Sequence, residues 1–209
     1  MPARYRLTYF NGRARAELIR LIFHTAGEEF EDNRIDTGSW GQLKPNTPFG
    51  ALPILEFDGL ALAQSLAIAR FLAREFGIAG KGRYEEAVVD SIVDTANDIL
   101  GDIIKIIFNE DDKLKKENQK KFVENILPFT LNSLENIFHK HGKGQSYAVG
   151  NDLTYADLAI FNALDQAVQA GIVNWQYFDK YPNISSLLRR LEDTPRLAGY
   201  LKTRPHTPY

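Results

Sequence analysis

Tyr5, Leu7 and Tyr9 alternate with Arg4, Arg6 and Thr8, a period of two that predicts a strand. Asn11-Gly12 interrupts it, and from Arg13 the apolar residues Ala14, Leu18, Leu21 and Ile22 recur at helical spacing until Gly27. Residues 30–35 read as a second short strand. Residues 36–50 hold Gly38, Gly41, Pro45, Pro48 and Gly50, which predicts a long irregular connection. Leu52 to Phe57 and Leu60 to Leu62 flank Asp58-Gly59, a hairpin signal because glycine supplies a positive φ. Pro53 opens the first of those strands, and a proline there suggests a cis peptide after Leu52. Ser65 then starts a helix that ends at Gly77.

Beyond residue 83 only helical periods remain. Val88, Ile92, Ala96, Ile99, Ile103 and Ile106 trace one face of a long helix. A second helix is expected over 115–139 with a kink at Pro128, and further helices over 155–170 and 184–193. The expected architecture is an α/β, thioredoxin-like domain over 1–77, a glycine-rich linker over 78–83 and an all-helical domain over 84–209.

Composition narrows the chemistry. The 209 residues include no cysteine, which excludes disulfides, Cys-ligated zinc and a thiolate nucleophile. A net charge of -2, with 25 basic and 27 acidic residues, argues against nucleic acid as a partner. No apolar run reaches membrane-spanning length and the first residues lack a signal-peptide core, so a cytoplasmic protein with no membrane partner is expected.

Several residues invite a chemical reading beside a structural one. Tyr9 ends the first strand, where ligands of α/β units bind, although a tyrosine capping the core is the simpler reading. Phe10 and Arg15 are near it in sequence and would add an apolar wall and a positive charge. Gln64-Ser65 forms the mouth of a helix, either a plain cap or a carboxylate site. Trp40 and Lys44 lie four apart in the long connection. Thr154-Tyr155-Ala156-Asp157 reads as a capping box, with Leu153 and Leu158 as its staple. Asp90, Asp94, Asp98 and Asp102 form a like-charge stripe, a solvated face or one neutralised by a partner. His139 and His141 lack further ligands, so no metal site is expected.

Taken together, Tyr5 to Asn11, Arg15-Ala16-Glu17, Pro48 to Leu55, Gln64 to Arg70, Val93-Asp94-Thr95 and Thr154 to Asp157 resemble the sigma-class glutathione transferases over essentially the whole chain. That group contains the haematopoietic prostaglandin D synthases, invertebrate transferases and S-crystallins. The resemblance implies a homodimeric enzyme that conjugates glutathione to small apolar electrophiles in detoxification, with glutathione as co-substrate and no bound cofactor. It implies that the Tyr9 hydroxyl bonds the glutathione sulfur and that Arg15 stabilises the thiolate. Trp40 and Lys44 would hold the glycyl end, the Leu52 backbone before Pro53 the cysteinyl part, and Gln64 and Ser65 the γ-glutamyl end. Asp98 would reach that end from the other subunit. Phe10, Ile104 and Tyr209 are position matches for the electrophile pocket.

The chain also departs from the group's pattern. Ile103 to Ile106 stand where prostaglandin isomerases carry a tryptophan, and Asn97 where they carry an acid of a cation site. Conjugation therefore ranks above prostaglandin-H2 D-isomerase activity and above non-catalytic binding of haem-like ligands. The short Asn109 to Lys113 connection lacks the insertion typical of S-crystallins.

Overall fold

A computed structural model describes residues 4–143 and 147–207. Four strands form one mixed sheet in the order β2-β1-β3-β4, with β1 (Tyr5–Phe10) central. It runs parallel to β2 (Phe30–Ile35) and antiparallel to β3 (Ile54–Phe57), which pairs with β4 (Leu60–Ala63) around the Asp58-Gly59 turn. The parallel β1–β2 pair needs a crossover, which α1 (Glu17–Ala26) supplies. The alternation seen in β1 is real: Tyr5, Leu7 and Tyr9 are buried and Arg6 is exposed. Leu52-Pro53 is cis. Gly27 ends α1 at φ 75°, the left-handed cap that glycine adopts without strain.

The expected irregular stretch 36–50 is instead partly helical: α2 (Thr37–Leu43) followed by a 3-10 turn, Lys44–Asn46. Asp36 caps α2 by accepting from the Ser39 amide and hydroxyl, both at 2.8 Å. A good N-cap and the outward placement of Gly38 and Gly41 outweigh the poor helix propensity of glycine. α3 (Ser65–Glu75) closes the first half of the chain.

The rest of the described chain is helical. α4 (Arg83–Ile107) buries Val89, Ile92, Val93, Ala96, Ile99, Leu100, Ile103 and Ile106, so its stripe is wider than expected and begins at Val89 rather than Val88. The helix expected over 115–139 is two helices, α5 (Asp112–Lys121) and α6 (Leu127–His141), joined by a π-helical turn over Phe122–Ile126. The cause is Pro128, which has no N–H for the Glu124 carbonyl and whose ring crowds it. The turn widens just before it, and the Leu127 amide reaches back to the Phe122 carbonyl.

α7 (Tyr155–Gln169) is buried on nearly every side and forms the centre of the helical half, packed along α4. Its capping box forms as expected: Asp157 accepts from the Thr154 amide at 2.8 Å and hydroxyl at 3.0 Å, and also from the Ala148 amide at 2.8 Å. α8 (Pro182–Glu192) follows a short 3-10 turn at Trp175–Phe178. A final helix, α9 (Pro195–Thr203), was not expected from the pattern.

The aspartate stripe of α4 docks it onto α3. Arg70 pairs with Asp90 at 2.8 Å and Asp94 at 3.4 Å, and the Tyr155 hydroxyl donates to Asp90. Asp102 takes Lys105 on its own helix at 2.9 Å.

Candidate functional site

The sheet register sets out the site. Thr8 pairs with Ile54, and Ile54 with Ala63. One step further along, Tyr9, Pro53 and Gln64 therefore lie abreast across the same end of the sheet. Tyr9 and Phe10 close β1 there, beside Ile35 at the end of β2. Gln64, at φ 75° and ψ 114°, turns the chain sharply into α3, whose first residue is Ser65.

A cleft of about 390 Å³ opens at this end, walled chiefly by Tyr9, Phe10, Arg15, Ile35, Ile104 and Phe108. Its surface is mainly apolar, so it suits an apolar guest with one reactive point. The Phe10 ring meets Tyr9 at 5.6 Å and Trp40 at 5.8 Å, both edge-on, which ties α2 to the cleft wall. Phe108 and Ile35 went unnoticed in the sequence. Ile35 had a usable signal, since it ends a strand beside β1.

Tyr9 is almost wholly buried. Burial pushes its hydroxyl above the ordinary tyrosine pKa, while the nearby Arg15 backbone N–H and the charges of Arg15 and Arg20 pull it back. The phenol is thus protonated at neutral pH, and its proton has no acceptor among the described residues.

The Arg15 guanidinium is exposed and lies 3.5 Å from the Asn97 side-chain oxygen of α4. Arg15, Ser65 and Asn97 share a small crevice at the seam between the two halves. So the structure gathers Tyr9, Phe10, Arg15 and Ile104 round the cleft, with Trp40 behind Phe10, while Pro53, Gln64 and Ser65 lie at the same end of the sheet outside the cleft's lining. Lys44 is exposed in the turn after α2, and Leu52 is half-buried beside Pro53. Asp98 points to solvent on α4 and has no partner among the described residues. Tyr209 lies outside the described residues.

Behind Tyr9 is a buried charge cluster that the sequence did not reveal. The Arg20 guanidinium is fully buried, 6.0 Å from the Tyr9 ring centre, and donates to the Gly12 carbonyl at 2.7 Å. It pairs with Glu17 at 3.2 Å and Asp32 at 3.1 Å. Glu17 also receives the Tyr200 hydroxyl and Arg204, each at 3.1 Å. Its only hint was a pair of charges on a helix with no free face. Among the described residues no group of three or more metal-ligating side chains occurs.

The chain is similar to known proteins over nearly all of its length. The family described as glutathione S-transferase, N-terminal domain, matches residues 5–74, and glutathione S-transferase, C-terminal domain, matches residues 97–204. "Glutathione S-transferase 1" of Ascaris suum is 39% identical, covering 100% of both chains. The hematopoietic prostaglandin D synthase of Gallus gallus is 38% identical over 97% of this chain and 98% of its own. A monomeric glutathione S-transferase from the hookworm Necator americanus superposes with a TM-score of 0.86 at 38% identity, covering 99% of this chain and 100% of that one. The Fasciola hepatica sigma-class enzyme gives 0.88 at 30% identity over 99% of each.

Proposed function

The chain belongs to the glutathione S-transferase family, and from that premise we propose that its Tyr9 hydroxyl activates glutathione for attack on small apolar electrophiles held in the cleft. The observation that carries this is the placement of one buried phenol, with its proton free to donate, at the mouth of an apolar cleft.

A free thiol titrates near ~8.5 and is mostly protonated at neutral pH. A hydrogen bond from Tyr9 and the positive charge of Arg15 both favour the thiolate. The thiol proton leaves to solvent. The sulfur lone pair then forms the new S–C bond, and with an aryl halide the halide departs with the C–X electrons. What remains is positioning sulfur against carbon. Trp40 and Lys44 hold the glycyl end, the Leu52 backbone beside Pro53 the cysteinyl amide, and Gln64 with Ser65 the γ-glutamyl end. Phe10 and Ile104 wall the electrophile. Glutathione is a co-substrate, and the scheme needs no resident cofactor. Detoxification in the cytoplasm is the setting that suits a cysteine-free enzyme consuming a reduced thiol.

The test is Tyr9→Phe. Losing a hydrogen bond to a charged group costs ~1.5–3 kcal/mol, so turnover with 1-chloro-2,4-dinitrobenzene falls roughly 10- to 100-fold. Glutathione affinity by calorimetry stays nearly unchanged. Undiminished turnover would remove Tyr9 from the role.

The working unit is proposed to be a homodimer. Phe49 and Phe129 leave 70% and 74% of their surfaces exposed, large apolar side chains that a second copy would cover. Asp98 is exposed on α4 and unpartnered among the described residues, and the dimer reading gives it the γ-glutamyl group held by a second copy. Sedimentation equilibrium should return twice the 23.7 kDa chain mass. A single-chain mass at micromolar concentration, the state described for the Necator relative, would overturn this.

A further inference from the structure

The turn that follows β1 is held in place by three other parts of the chain. Gly12, Ala14 and Arg15 line the cleft. Ala14 sits at φ 34°, a conformation that non-glycine residues rarely take, so the turn keeps its shape only while its surroundings impose it. The Gly12 carbonyl accepts from Arg20 of α1 at 2.7 Å, and the Ala14 carbonyl from Gln166 of α7 at 3.1 Å. Between them Arg13 is buried, and its Nη2 donates to the Thr207 carbonyl at 2.9 Å. The third holder is thus the segment that leaves α9 at Arg204. Arg204 is anchored by Glu17 at 3.1 Å and by Asp165 at 2.8 Å. Pro205 and His206 then run exposed with no regular structure, and Thr207 is buried again. Such segments fray unless something ties them down, and Arg13 supplies the tie from 194 positions away. Its Nε, also buried, has no partner among the described residues. A buried donor left unpaired costs stability, so stability alone does not account for an arginine here.

We infer that Arg13 is a positioning residue for the electrophile: by holding the Thr207 carbonyl it fastens segment 204–207 against turn 12–15, and the two together keep that wall of the cleft in place. This rests on the reading of the cleft as the electrophile site. The wall has little else to fix it. Gly12 has no side chain and Ala14 a single methyl, so the backbone alone sets where they meet a guest. With Thr207 released, the segment beyond Arg204 is free to move and the turn relaxes from its strained angle. The apolar guest then loses a fixed surface. Glutathione is affected less. The groups assigned to it, Trp40, Lys44, Leu52, Gln64 and Ser65, lie on other elements. Arg15 ends the turn, but its exposed guanidinium is steered by Asn97 of α4 at 3.5 Å.

The experiment is initial-rate kinetics with 1-chloro-2,4-dinitrobenzene and glutathione, each varied while the other saturates. It compares wild type, Arg13→Met, a segment variant carrying Pro205→Gly and His206→Gly, and the combination. Methionine keeps the apolar stem of the arginine and removes its donors. The two glycines replace exposed residues and make the segment harder to order. In Arg13→Met the KM for the electrophile rises roughly fivefold, the worth of one hydrogen bond, while kcat and the KM for glutathione stay within about twofold. The segment variant raises the same KM by about twofold. In the Arg13→Met background it adds nothing, because Thr207 is already released. A folded Arg13→Met with an unchanged electrophile KM overturns the inference. So does an equal rise in the KM for glutathione, which marks a purely structural role, or full additivity of the two changes. If Arg13→Met does not fold, the segment variant decides, and an electrophile KM equal to that of wild type overturns the inference. Ile104→Trp checks the premise separately, because its bulk fills the cleft. If that change leaves the electrophile KM untouched, the cleft is not the electrophile site and the premise falls.

Discussion

Asp157 shows how far one side chain can serve a fold. Its carboxylate sits in the fully buried first turn of α7 and accepts three hydrogen bonds, from the Ala148 and Thr154 amides and the Thr154 hydroxyl. Those donors favour the ionised form, but burial outweighs them and pushes the carboxyl up to about 6. The folded state therefore holds the proton more tightly than the unfolded chain, whose carboxyl titrates near 3.8. The stability this proton confers is complete below the unfolded value and is lost as pH rises through about 6. Asp157→Asn cannot titrate. The wild-type advantage over it, from urea midpoints, should thus shrink by on the order of 2–3 kcal/mol between the two pKa values. A pH-independent difference would mean that Asp157 stays ionised throughout. This motif was legible in the sequence because its partners are three residues apart. Glu17 and Arg20 were not, because Glu17 meets Tyr200 and Arg204 more than 180 positions away.

At the scale of elements, the sequence showed what depends on local pattern. β1 was readable because only alternation fits a strand with one buried face. The turn at Asp58-Gly59 and the caps at Gly27 and Thr154 were readable because their chemistry is contained in a few residues. Where the pattern failed, competing local signals hid the answer. α2 carries two glycines yet is nucleated by Asp36, and α9 starts at Pro195 and contains Gly199, so breakers masked both. Proline is welcome in a first helical turn, where its missing N–H costs nothing. Pro128 was expected to kink a helix, but the strain is absorbed by a widened turn upstream. The aspartate stripe was readable as a feature but not as an answer. Its partner Arg70 lies on a different helix, and only the tertiary fold brings the charges together. The site was legible in the same uneven way. Tyr9 announced itself by ending a strand, whereas Phe108 reaches the site only through tertiary packing.

Across the whole molecule, the buried charge cluster joins parts of the chain that the sheet and the helical core would otherwise stabilise separately. Glu17 on α1 is its hub, bonded to Arg20, to Tyr200 on α9 and to Arg204 just after it. Arg20 extends it to Asp32 on β2, and Arg204 to Asp165 on α7 at 2.8 Å. Burial, and after it the Glu17 charge, push the Tyr200 hydroxyl far above its ordinary pKa, so it remains a donor at every working pH. Such a cluster is costly to desolvate and adds little against a well-packed apolar alternative, but breaking it by removing one partner is severe. Glu17→Gln keeps the shape and leaves the two arginines each short of a countercharge, which should cost ~3 kcal/mol. The chain offers a direct way to see where that cost falls. It has two tryptophans, Trp40 in α2 beside the sheet and Trp175 in the turn between α7 and α8. Single-tryptophan variants, Trp40→Phe and Trp175→Phe, let each half report its own urea unfolding. If the cluster binds the halves into one cooperative unit, Glu17→Gln lowers both midpoints together. A fall seen by Trp40 alone would confine the cluster's work to the sheet half. No fall in either would show that its charges are balanced elsewhere and that apolar packing alone holds α9 against α1.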